Sequence, residues 1–127
     1  MALEGGYQER GRIVHLHLTM SESVLDAARA VDGWAVHAVT HVMEMQGRRS
    51  EGIEWLTTLA PRWEGSHNLQ HHLWWHCALF VLESGDHAAV LDLYDTRFRN
   101  LEAALTLAAP DVYIDVQNAA SMLFRLQ

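Results

Sequence analysis

The chain has no lysine: all nine of its basic residues are arginines, set against sixteen acidic ones, for a formal charge of −7 over 127 residues. Without a basic run it lacks the cation density that phosphate neutralisation requires, which argues against a nucleic-acid partner and equally against a charged membrane surface. There is one cysteine, Cys77, so no internal disulfide forms, and this usage points to the cytoplasm. No apolar run approaches the roughly 20 residues of a membrane span. The opening MALEGGYQERGRIV has no basic segment leading into an apolar core, so no secretory signal is expected there. Prolines are scarce too, with Pro61 and Pro110 the only two, and no stretch alternates in the manner of a half-buried strand. What these absences leave is an all-α chain forming one domain, 1–127, large enough for a single core.

The helical periodicity is punctuated by capping residues. Tyr7 to Met20 reads as a short helix, and Ser21 or Ser23 caps a second segment, ESVLDAARA. Asp32 caps a helix from Trp34 to Gln46 that Gly47 stops, and Arg49 to Leu59 is the return helix, broken by Pro61. After a polar loop, Ser66 or Asn68 caps a long helix running through Glu83 to a stop at Gly85. Asp86 opens HAAVLDLYDTRFRNLEAALTLAA, one bent helix or two. Asp111 opens a last helix whose Val112, Ile114, Val116, Ala119, Met122, Leu123 and Leu126 suit one broad apolar face.

Paired helices of this length call for a search for repeats. WAVHAVTHVMEMQGRRSEGIEWL and HHLWWHCALFVLESGDHAAVLDLY share one layout: an apolar helix, a turn glycine, then an amphipathic helix. The turn glycines Gly47 and Gly85 are 38 positions apart (85 minus 47). The layout resembles the tetratricopeptide repeat, a helix–turn–helix unit of about 34 residues. In that alignment Gly52 stands where the repeat favours alanine, and Trp74, Ala78 and Val90 fall at its tryptophan, glycine and alanine positions. The strings DGWAVHAVTHVMEMQGRRSEGIEWL, HNLQHHLWWHCALFVLESGDHAAVLDLYDTRF and ASMLFRLQ go further, and resemble the tetratricopeptide repeat protein 38 family over Val31 to Gln127. The fold this implies is a short solenoid of antiparallel helix pairs: a divergent partial repeat at 1–31, units at 32–60 and 66–108, and a final helix at 111–127. No defined biochemical activity comes with the family.

The chemically loaded residues gather on one stripe. The resemblance implies that Trp34, His37, His41, Glu44 and Met45 of one first helix, and His72, Trp75, Leu79, Leu82 and Glu83 of the next, face a concave groove. Spacings of i, i+3, i+7 and i+10 define one helical face independently of any family. Trp74, Val36, Val39 and Ala78 fall on other faces and read as core. The wall has three readings. Its histidines and tryptophans can simply pack between helices, hydrogen-bonded to carbonyls or carboxylates. They can line a binding groove for a peptide, a protein or a small ligand, through Trp34, His37, His41, Glu44, His72, Trp75, His76 and Glu83. Or His37/His41 and His72/His76, each pair spaced i, i+4, can chelate a metal ion, with Glu44 as ligand, orienting group or base. Against the third stand the absence of an HExxH string and of thiolate ligands, and the offset of His72 and His76 from the groove register.

No serine elbow or phosphate loop occurs, and Cys77 diverges by about 100° from its neighbour His76 on a helix. The sequence therefore reads as a non-enzymatic binding or scaffolding module with no catalytic residues and no cofactor. The alternative is a metal-dependent hydrolase or other enzyme built on His37, His41, Glu44, His72 and His76. A repeat array needs about three units and polar ends, whereas the last helix offers Leu123, Phe124 and Leu126. A homodimer covering that face is expected, and sedimentation giving a monomer at every concentration would remove it.

Overall fold

The computed structural model describes residues 32–65, 69–108 and 113–127, and among them every regular element is helical, with no strand. In chain order these are α1 (Gly33–Met45), α2 (Arg49–Trp63), α3 (Leu69–Glu83), α4 (His87–Leu93), a π-turn (Tyr94–Phe98), α5 (Ala104–Ala108) and α6 (Tyr113–Arg125). The expected helices before Asp32, the caps at Ser66 or Asn68 and the opening at Asp111 lie outside the described residues.

The capping chemistry sets the helix pairs as expected. The Asp32 carboxylate accepts from the Trp34 amide at 2.9 Å and starts α1, and the Asp86 carboxylate accepts from the Ala89 amide at 3.0 Å and starts α4. Gly47 and Gly85 adopt φ of +67° and +81°, the left-handed geometry that ends α1 and α3. Arg49 then reaches back from α2 to donate to the Glu83 carbonyl at 2.9 Å, placing a cation on the C-terminal carbonyls of α3.

Three expectations are corrected. First, α2 does not break at Pro61 but continues to Trp63. A proline in the last turn forfeits one amide donor, the next bond (Glu64 N–H to the Ala60 carbonyl, 2.9 Å) survives, and the added turn buries Trp63 against Trp74, ring centroids 5.3 Å apart. Second, the segment after Asp86 is two helices, α4 and α5, as one of the two readings had it, but the first does not end regularly. It widens into the π-turn, where the Arg99 amide bonds the Tyr94 carbonyl, and Phe98 is thereby buried edge-on to Tyr94. Third, the apolar face assigned to the last helix is only half right. Ala119 and Met122 are buried, but Val116 and Leu123 are exposed, and the inner side also carries Asp115 and Asn118. The reason is that α3 presents histidines there rather than hydrocarbon.

At the centre lies α3, which packs against α1, α2, α4, the π-turn and α6. Ten of its fifteen residues are buried, so it has no polar face. It packs tightly against α2 at Gly52: a Cβ there would fall well inside 3.0 Å of the Phe80 ring. The glycine that departs from the repeat pattern is the space into which Phe80 packs. Gly52→Ala should destabilise the protein by about 1–3 kcal/mol through overpacking, read as a lowered urea midpoint; an unchanged midpoint would mean the two helices separate freely at that point.

Candidate metal centre

Two i, i+4 histidine pairs meet where α1 crosses α3. On α1, His37 and His41 rise above the buried row Val36, Val39, Thr40 and Met43; on α3, His72 and His76 occupy the side turned to α1. The Nε2 atom of His37 lies 3.0 Å from the Nε2 of His41 and 3.0 Å from the Nε2 of His72. One ring nitrogen from each of the four histidines falls within 4.8 Å of all the others. The pairs also face one another as rings, with centroids 4.5 Å apart for His41 and His76 and 4.8 Å for His37 and His72.

Outside this inner set stand the oxygen acceptors. The Oε2 of Glu44 is 3.3 Å from the Nδ1 of His76 and 3.6 Å from the Nδ1 of His41, and the Oδ1 of Asn118 on α6 is 3.0 Å from the Nδ1 of His72. The His76–Glu44 contact is a charge contact rather than an aligned hydrogen bond, since neither ring nitrogen of His76 has a hydrogen-bond partner although the side chain is 1% exposed. An imidazole whose Nδ1–H points to an outer oxygen carries its lone pair on Nε2. His72, its Nδ1–H directed to Asn118, turns its lone pair to the Nε2 of His37; the Nε2 of His41 lies equally close to that atom, which as one trigonal nitrogen can satisfy only one of the two well. The inner face is therefore rich in lone pairs and poor in protons.

Electrostatics follow from that crowding. Burial, then the charges of His72 and His41, push His37 down to about 4. Burial, followed by the charges of His72, His41 and His37, pushes His76 down to about 2. His72 is lowered by burial as well, against its hydrogen bond to the Asn118 amide oxygen, which favours its charged form. Neutral imidazole is the metal-binding form, so at neutral pH His37, His72 and His76 present ligands rather than cations. The ring walls are aromatic: Trp75 stacks on His72 at 12° and 5.3 Å, and Trp34, 63% exposed, sits edge-on to His37 at 5.9 Å.

The expected site residues are thus partly brought together. Trp34, His37, His41, Glu44, His72 and Trp75 converge, and His76, placed off register by the sequence, joins them as the most deeply buried of the four histidines because it lies one turn beyond His72. Glu83 does not: it lies at the far end of α3, 3.7 Å from the Arg49 guanidinium. His71 points away and bonds the Arg97 carbonyl at 3.0 Å, and His67 lies outside the described residues. Asn118 was not legible in advance, being 46 residues from its partner on a helix whose polar residues gave no sign of facing inward. A separate open cleft of about 380 Å³, lined by Met43, Glu51, Glu54, Trp55, Thr58 and Leu59, contains none of the histidines. Compared with known proteins, the chain matches no family model and no solved structure.

The depressed histidines make stability pH-dependent. Unfolded, His37, His72 and His76 take up protons near 6.5, while the folded protein resists them to lower pH. Between these limits unfolding binds protons, so stability is full above about 6.5 and falls as pH drops. Chelator-treated protein should lose several degrees of melting temperature between pH 7.5 and 5; a flat profile would show the histidines to be freely solvated.

Proposed function

We propose that the chain is a helical binding module whose ligand is a first-row transition-metal ion held by His37, His41, His72 and His76. The observation that carries this reading is the meeting of Nε2 atoms at 3.0 Å, with all four donors within 4.8 Å. Hydrogen bonding cannot satisfy lone pairs converging in this way, whereas a single cation satisfies them together. Packing with carboxylate or amide partners accounts for the buried rings and for the oxygens beside their Nδ1 atoms, but not for the crowding of ring nitrogens on the inner side. Imidazole donors suit Zn²⁺, Ni²⁺, Co²⁺, Fe²⁺ and Cu²⁺ and disfavour Ca²⁺ and Mg²⁺, which require oxygen.

The Glu44 carboxylate acts in this reading as a positioning group. It stands beyond the ligand atoms, beside two Nδ1 nitrogens, in the place from which a carboxylate orients a metal-bound imidazole and raises its basicity. Asn118 does the same for His72 and ties α6 to the site. The pairing of α1 with α2 and of α3 with α4 supports the tetratricopeptide type of arrangement for the frame. Exposed Leu123 and Phe124 on α6 support association of two copies. Among the described residues no helix is long and apolar enough to cross a membrane.

Elemental analysis of natively purified protein should find about one transition-metal ion per chain, and chelator-treated protein should rebind Zn²⁺ or Ni²⁺ with a change in tryptophan fluorescence from Trp34 and Trp75. His41, half-exposed, can be removed without disturbing the core. His41→Ala should weaken binding at least tenfold at unchanged helicity, and Glu44→Gln by about 10–100-fold. Protein that neither carries nor rebinds any of these ions would sink the reading.

A further inference from the structure

The open cleft beside α2 has a chemistry of its own, separate from the histidines. One helical stripe forms most of its lining: Glu51, Glu54, Trp55, Thr58 and Leu59 follow at i, i+3, i+4, i+7 and i+8 along α2, and Met43 from the last turn of α1 completes it. The row that α2 turns to α3 is a different one, since Gly52 meets Phe80, and Leu56 and Ala60 continue from it one and two turns on. The volume of about 380 Å³ lies within the range of ligand sites, roughly 300–1,000 Å³, and holds one long side chain. The two carboxylates are not equivalent. Both oxygens of Glu51 accept from the Arg48 guanidinium, at 3.1 and 2.6 Å. Glu54 is exposed, and its carboxylate has no hydrogen bond or ion pair among the described residues. Beside it Trp55 is anchored: its ring packs against the core, and its indole N–H donates to the Val36 carbonyl at 3.5 Å.

We propose that this cleft receives an arginine side chain carried by a basic segment of a partner protein. The sign of the charge follows from the lining, which has two carboxylates and no basic side chain. An anion would be repelled there, and a purely apolar group would cover Glu54 without pairing it. Met43, Leu59 and Trp55 suit a hydrocarbon stem. A planar guanidinium can lie on the indole and offer two N–H groups to the free Glu54 carboxylate, with the Thr58 hydroxyl one turn further on as another acceptor. Lysine, a compact and strongly hydrated point charge, gains less from an aromatic wall. The source is a peptide rather than the free amino acid, because the α-carboxylate of free arginine would find no cation: Arg48 is already held by Glu51. The formal charge of −7 draws a basic segment toward the protein before contact. None of this depends on the histidine cluster.

The test is a titration of the intact chain followed by NMR at the Trp55 indole N–H, the resonance identified with Trp55→Phe. The probes are a capped Gly-Arg-Gly peptide, the same peptide with citrulline, which keeps the shape of arginine and loses its charge, and free arginine. The arginine peptide should move the indole resonance saturably, and both other probes should bind at least about five-fold more weakly. Glu54→Gln should weaken the arginine peptide by about five-fold or more, with helicity unchanged because that side chain is exposed and holds no other part of the fold. Glu102→Gln, an exposed acid outside the cleft lining, should leave binding as it is and so separates pairing from general attraction. No saturable shift, equal binding of the citrulline peptide, or an unaffected Glu54→Gln variant would overturn the assignment. Free arginine binding as tightly as the peptide would overturn the partner protein as its source. An indole resonance that moves with protein concentration alone would give the cleft to a second copy of the chain, and would overturn it equally.

Discussion

Two imidazole nitrogens, those of His41 and His72, converging on the Nε2 of His37 are the constraint around which this protein is arranged. Bringing lone pairs to 3.0 Å is unfavourable unless something positive lies between them, and the surrounding structure holds them there from every side. Trp75 is stacked behind His72, Glu44 stands behind His41 and His76, and Asn118 fixes the outer edge of His72. Each of these contacts belongs to a different part of the chain. The cluster is accordingly a point where α1, α3 and α6 have to agree, and the turns and caps elsewhere serve to bring them to it.

Burying such a group is costly in ordinary circumstances, because an imidazole removed from water loses hydration whether or not it is charged. The cost is limited here by keeping the rings neutral. Burial and mutual repulsion both disfavour the protonated form, and the same two effects make the nitrogens available as donors. Asp115, one turn before Asn118 on α6, is another buried polar group on this flank. Burial pushes its carboxyl up, while the charges of His71 and Arg99 pull it down. The flank of α3 facing α6 is thus a polar seam inside an otherwise apolar core, and it explains why the last helix turns Asp115 and Asn118 inward.

How far the sequence revealed this depends on range. Local chemistry was readable: Asp32 and Asp86 as caps, Gly47 and Gly85 as stops, and the pairing of His37 with His41 all follow from spacings of four residues or fewer. The juxtaposition of the two histidine pairs was readable as well, since equal helices separated by like turns bring like stripes side by side. What escaped was decided by partners distant in sequence. Pro61 read as a stop because the reward for continuing, Trp63 against Trp74, lay on another helix. His76 was included among the candidates although its register looked offset from the stripe, and Asn118 had no local mark at all. The wide turn at Tyr94–Phe98 belongs to the same group, as it follows from where Phe98 must go rather than from YDTRF itself.

The burial of α3 on all sides bears on how this chain tolerates change. A surface helix has a solvent face on which substitutions accumulate harmlessly, but HHLWWHCALF has almost none: Phe80 fills the space at Gly52, Trp74 meets Trp63, His71 holds the Arg97 carbonyl, and His72 and His76 complete the cluster. Nearly every position there has a neighbour that would have to change with it. Drift at a single site is blocked, and accepted variation should come as compensating pairs spread over separate helices. The segment is therefore a poor place for engineering by single substitution, whereas the solvent-facing residues of α2 and α4 leave ample room for it.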